Sequence, residues 1–137
     1  MFLIDTDVLS ALRRAERSPG IVRWMAEQRT TDLYMSVVSV GEIERGITRQ
    51  RQRNPTFAAA LAAWLDTLLV LYGERILPFD LPAARRWGRL SGALGHDGAD
   101  LLIAATALEH GLTVVTRNVR HFRAADVPVL DPSAALP

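Results

Sequence analysis

Apolar positions in this chain fall into two patterns, short unbroken runs and longer stretches at helical spacing, and the two patterns take turns. Phe2-Leu3-Ile4 is apolar without a break, as in a strand covered on both faces, and Asp5 ends it. Thr6 or Asp7 then stands where a cap belongs, for a short helix to about Arg14. Pro19 suits the first turn of a second helix carrying Ile21, Val22, Trp24 and Met25. Residues 33–38 read as a strand leading into a helix that holds Glu42 near its start and runs to about Gln52. Asn54-Pro55 marks the next start, after which Phe57, Leu61, Trp64, Leu65 and Leu68 recur at helical spacing. Residues 75–79 make a short strand, and Pro82 opens a helix toward Leu94. Beyond Gly95 and Gly98, residues 100–108 are apolar on nearly every side, which predicts a buried helix closed by Gly111. Residues 112–116 and 127–130 are the last strands.

Strands alternating with helices predict an α/β fold, a central parallel sheet flanked by helices on both faces. No repeat, low-complexity tract or linker divides the chain, so residues 1–137 are expected to be one domain. Ligands of such sheets gather beyond the carboxyl ends of the strands, and Asp5 and Thr116-Arg117-Asn118 both fall on that edge.

Three acids stand at the ends of apolar elements: Asp5 after the first strand, Glu42 early in its helix, and Asp100 at the start of the buried helix. Carboxylates placed against a core must be neutralised, and a hard divalent cation can serve several at once. That pattern points to metal-assisted chemistry on a phosphate. Glu42, Asp100 and the neighbouring Asp7 also have structural explanations, whereas Asp5, closing a buried strand, is harder to dismiss. Asp7 can be a cap or a first-turn acid favoured by the helix dipole. Asp100 can complete a capping box with Asp97 as the cap. Glu42 can pair with Arg45, worth only ~0.2–0.5 kcal/mol on a helix surface. Arg45, Arg49 and Arg53 form one stripe beside Glu42, either a ridge for nucleic-acid phosphates or a solvated face. His96, His110 and His121 lack the spacing of zinc ligands.

Composition narrows the chemistry. Cys is absent, which excludes disulfides and thiolate catalysis and suits a reducing cytoplasm. All 16 basic residues are Arg, so no mechanism can use a lysine amine. The net charge of +1 neither requires nor excludes nucleic acid. No apolar stretch is expected to reach the ~18 residues of a membrane span, and no export signal is visible.

Four segments, 2–9, 39–47, 100–107 and 116–122, in that order, resemble the PIN-domain ribonucleases, in particular the VapC toxins and their FitB-like branch. The resemblance covers essentially the whole chain. It implies a Mg²⁺- or Mn²⁺-dependent endoribonuclease, usually a homodimer, inhibited by a cognate VapB-like antitoxin whose C-terminal segment enters the active-site groove. The family's acidic cluster maps onto Asp5, Glu42 and Asp100. In the fourth acidic position many relatives carry Asp, whereas this chain offers Asn118 and His121, and Asp7 stands where relatives often have Asn. The resemblance thus assigns metal binding to Asp5, Asp100 and Asn118, and a water-orienting role to Glu42. Thr6, Thr116, Arg45 and Arg49 are expected to contact substrate. Two other readings compete: a catalytically silent PIN-like module that binds RNA or a partner, and a haloacid-dehalogenase-like phosphatase built on Asp5-Thr6-Asp7. The phosphatase class normally uses a lysine, which this chain lacks. The apolar helix beginning at Pro55 carries more apolar surface than one small domain requires, which suggests a dimer or antitoxin contact.

Overall fold

Five short parallel strands carry the architecture of this computed structural model, which describes residues 1–133; the end of the expected domain at residue 137 lies outside them. In chain order the elements are β1 (Phe2–Ile4), α1 (Thr6–Leu12), α2 (Pro19–Glu27), β2 (Leu33–Ser36), α3 (Val37–Arg53) and α4 (Pro55–Tyr72). They continue with β3 (Ile76–Leu77), α5 (Leu81–Leu94), α6 (Ala99–His110), β4 (Thr113–Val115), α7 (Val119–Arg123) and β5 (Val129–Leu130). The sheet order is β3-β2-β1-β4-β5, so the chain winds outward from β1 in one direction and then returns to build the other half. The crevice between β1 and β4 is the switch point where ligands of such sheets bind.

The pleat sorts the core into two layers. Ile4 and Val115, paired in register, face a layer holding Ile21, Trp24, Ile43 and Leu65. Their neighbours Leu3 and Val114, also paired, face the opposite layer with Leu101, Ile103 and Phe122. β1 is therefore apolar at every position and β4 at Val114 and Val115, as the apolar runs in the sequence reflect.

Helix starts differ in instructive ways from the sequence expectation. The cap of α1 is Asp5, not Thr6 or Asp7; its carboxylate accepts from the Thr6 amide at 2.8 Å. Ser36 caps α3 through the Val38 amide, so the strand ends at Ser36 and β-branched Val37 and Val38 are helical. For α6 the cap position belongs to Gly98, not Asp97, and no capping box forms. Gly111 ends that helix in the left-handed conformation, φ 64°, where a Cβ would be strained.

The expectation of no span-length apolar stretch is corrected by α4. Within 55–75 an 18-residue window has mean hydropathy 1.5, which by length and composition alone would suffice to cross a membrane. Ala58, Leu65, Leu68 and Tyr72 face the core, while Val70 is 85% exposed and Leu71 54%. Apolar residues run round this helix beyond the stripe the core absorbs.

Candidate active site

Asp5 owes its position to two elements at once, ending β1 and opening α1. Its backbone amide donates to Val115 at 2.9 Å, which fixes the loop against β4. One carboxylate oxygen accepts from the Thr6 amide, and the other accepts from the Thr116 hydroxyl at 2.8 Å. Thr116, wholly buried just past β4, also accepts from the Asn118 amide at 2.9 Å. The carboxyl ends of β1 and β4 are thus tied together by side chains, at the switch point.

Thr6 connects this pair to α3. Its hydroxyl donates to Glu42 Oε1 at 2.6 Å, and because a hydroxyl has one proton, the 2.7 Å contact with Ser39 must be donated by Ser39. Ser39 and Glu42 lie one turn apart on α3, so a short chain of hydroxyls orients the Glu42 carboxylate. Ser39 was not singled out in the sequence; its spacing of three from Glu42 was the available signal.

Asp5, Asp7, Glu42, Asp100, Asn118 and His121 line one cavity of about 300 Å³. The residues expected from the sequence at this edge therefore come together. Asp7 is not the helix cap. It pairs with Arg117, whose Nε lies 3.2 Å from Asp7 Oδ2 and whose second guanidinium nitrogen reaches the Asp7 carbonyl. Asp7 Oδ1 is buried without a partner. Arg45 and Arg49 do not line this cavity. Both are exposed on α3, and Arg49 borders a separate depression with Gly46, Gln50, Gln52 and Arg53.

The electrostatics are those of an acid site short of positive charge. Burial first, and then the negative charge of Asp7, push the Asp5 carboxyl up from 3.8 to about 7, although the Thr116 hydroxyl and Thr6 amide favour its charged form. A divalent cation would reverse both effects, and its charge would also offset that of the unpartnered Asp7 Oδ1. The available donors are carboxylate, amide and hydroxyl oxygens, the set preferred by Mg²⁺ and Mn²⁺. Among the described residues no three acidic or histidine side chains are grouped closely enough to hold one ion by themselves. Mg²⁺ commonly binds through one or two carboxylates and keeps several waters, so the donor chemistry fits such an ion.

Comparison with known proteins follows the same lines. The model of the PIN domain family matches residues 2–127. The chain is 35% identical over 141 residues to Toxin FitB of Neisseria gonorrhoeae, covering 96% of this chain and 98% of that protein. It is 34% identical over 139 residues to VapC ribonuclease Y4jK of Sinorhizobium fredii, covering 96% and 97%. The crystal structure of FitAcB from Neisseria gonorrhoeae superposes with a TM-score of 0.86 at 35% identity, over 98% of this chain and 99% of that one.

Proposed function

The chain belongs to the PIN-domain family, and on that premise we propose that it is the toxin of a type II toxin–antitoxin pair, a Mg²⁺-dependent endoribonuclease. The observation that carries the reading is the joining of Asp5, Glu42, Asp100 and Asn118 around one cavity at the β1–β4 switch point. Its relatives of similar length are a toxin and a ribonuclease.

Asp5, Asp100 and Asn118 would hold the ion, with Mn²⁺ as the natural substitute. When bound, the ion supplies Lewis acidity to the scissile phosphate and lowers the pKa of the attacking water. The protein does the rest by placement. Thr116 and the Thr6 amide each bond one oxygen of the Asp5 carboxylate and hold it in place, and each oxygen keeps a further lone pair for a ligand. Glu42 is held at Oε1 by Thr6, which leaves Oε2 to orient a water and accept its proton. Arg117 holds Asp7 to one side, so that Asp7 contributes charge rather than a first-choice ligand. Thr6 and Thr116 are engaged with carboxylates, so they act on ligands in preference to substrate. The exposed Arg45 and Arg49 are left to meet the RNA backbone outside the cavity.

The partners in this reading are RNA, a VapB-like antitoxin and a second copy of the chain, and the working compartment is the cytoplasm. Purified protein incubated with mixed cellular RNA should cleave it with Mg²⁺ and not with EDTA. A second reading, a silent RNA- or partner-binding module, draws on the neutral Asn118 in the fourth acidic position. It predicts RNA binding with no cleavage in either Mg²⁺ or Mn²⁺.

A further inference from the structure

Beside the acidic cavity lies a second one, of about 340 Å³, whose lining includes Arg13, Arg14, Arg17 and Arg117. The two adjoin. Ser10 lines both, and Arg117 reaches from the arginine cavity to Asp7 of the acidic one. Among the described residues Arg117 alone of the four has an ion-pair partner. Arg13 is stacked over Phe57, 4.9 Å from the ring centre, and over Trp64 at 5.6 Å. Burial, followed by the charge of Arg14, lowers the Arg13 pKa, yet a guanidinium stays protonated in proteins. The like charges of Arg13, Arg14 and Arg17 therefore gather at one cavity, Arg13 stacked on two aromatic rings, and among the described residues none of these three is in an ion pair. Such a fork of planar donors is suited to a phosphate.

A phosphodiester strand satisfies both cavities at once, with one phosphate at the acids and a neighbouring one at the arginines. A lone carboxylate could satisfy only the second. We infer that the arginine cavity is the subsite holding a backbone phosphate of the RNA next to the one being cut, which sets the strand's register across the acids. The inference rests on the ribonuclease reading for its substrate class.

Arg14 and Arg17 are exposed and lie outside the acidic cavity, so the double variant Arg14→Gln/Arg17→Gln tests the subsite without touching the carboxylates. Binding of a fluorescein-labelled single-stranded RNA is read by anisotropy over a KCl series, in an Asp100→Asn background to prevent cleavage. The double variant should bind on the order of tenfold more weakly, and its log K against log salt slope should be shallower by roughly 0.7 for one lost phosphate contact. With Asp100 intact, KM should rise more than kcat falls. Arg85→Gln/Arg89→Gln on α5 removes the same charge elsewhere and should leave the slope unchanged. An unchanged slope in the Arg14/Arg17 variant, or an equal loss in the α5 variant, overturns the subsite. Weakened antitoxin binding with unaltered RNA binding overturns it as well. If the wild type cuts no RNA but the Arg14/Arg17 variant still binds RNA more weakly, the ribonuclease reading fails and the phosphate subsite stands.

Discussion

Replacing Asp5 with Asn should make the metal-free protein more stable at alkaline pH, although it removes a residue at the centre of the site. The folded protein holds the Asp5 carboxyl near pKa 7 against an ordinary 3.8. A carboxyl whose pKa rises on folding disfavours the folded state wherever it is ionised. Stability is therefore full below pH 3.8, falls as pH rises through 7, and levels off above it. The rise from 3.8 to about 7 corresponds to roughly 4 kcal/mol in total, more than half of it lost between pH 5 and pH 8. Asn keeps the bond from the Thr6 amide, but the Thr116 hydroxyl loses a charged acceptor, which offsets about 1 kcal/mol. Urea unfolding in EDTA at pH 5 and pH 8 measures the difference between wild type and Asp5→Asn. The contributions of the other carboxylates largely cancel in that difference. Asp5→Asn should gain about 2–3 kcal/mol on wild type as the pH is raised, and saturating Mg²⁺ should abolish the wild-type slope. Parallel curves for the two proteins would refute the assignment of Asp5 as a buried, uncompensated acid.

Asn118→Asp restores a carboxylate at the fourth position and should lower the Mg²⁺ concentration giving half-maximal cleavage; a metal titration that shows no decrease would place residue 118 away from the ion. Gly98→Ala would set a Cβ 2.6 Å from Asp100 Oδ1, in a backbone (φ −58°) that any residue adopts. The Asp100 carboxyl must swing aside, so cleavage should fall on the order of ten- to a hundredfold while the melting temperature stays nearly unchanged. Light scattering should report a dimer for the wild type. Val70→Glu, on the exposed apolar face of α4, should yield monomers that keep their fold by circular dichroism.

How much of this the sequence disclosed depends on how local the cause is. Burial on both faces makes β1 an unbroken apolar run and β4 β-branched throughout with apolar Val114 and Val115, so the sheet and the carboxyl edge bearing Asp5 and Asn118 are readable. Residues with two tasks are the ones the sequence pattern misplaces. Asp5 is both strand end and cap, so the pattern alone points to a cap one or two positions later. Val37 and Val38 favour strands, but the Ser36 cap carries them into a helix. Asp97 and Asp100 have capping-box spacing, yet Gly98 takes the cap and leaves Asp100 to the cavity. The one-turn helix α7 is too short for periodicity to reveal. The arginine cavity joins Arg13, Arg14 and Arg17 to Arg117 from the far end of the chain, a proximity that only the β1–β4 pairing creates.

The account stands on Asp5, Glu42 and Asp100 acting as one site on RNA. Double-mutant cycles on the Mg²⁺-dependent cleavage rate of a defined RNA test it most directly. Asp5→Asn, Glu42→Gln and Asp100→Asn should each reduce the rate to the background of the assay or close to it, and any pair should lose little more than the worse single change. Single variants that cleave at the wild-type rate, or losses that multiply independently, would contradict it.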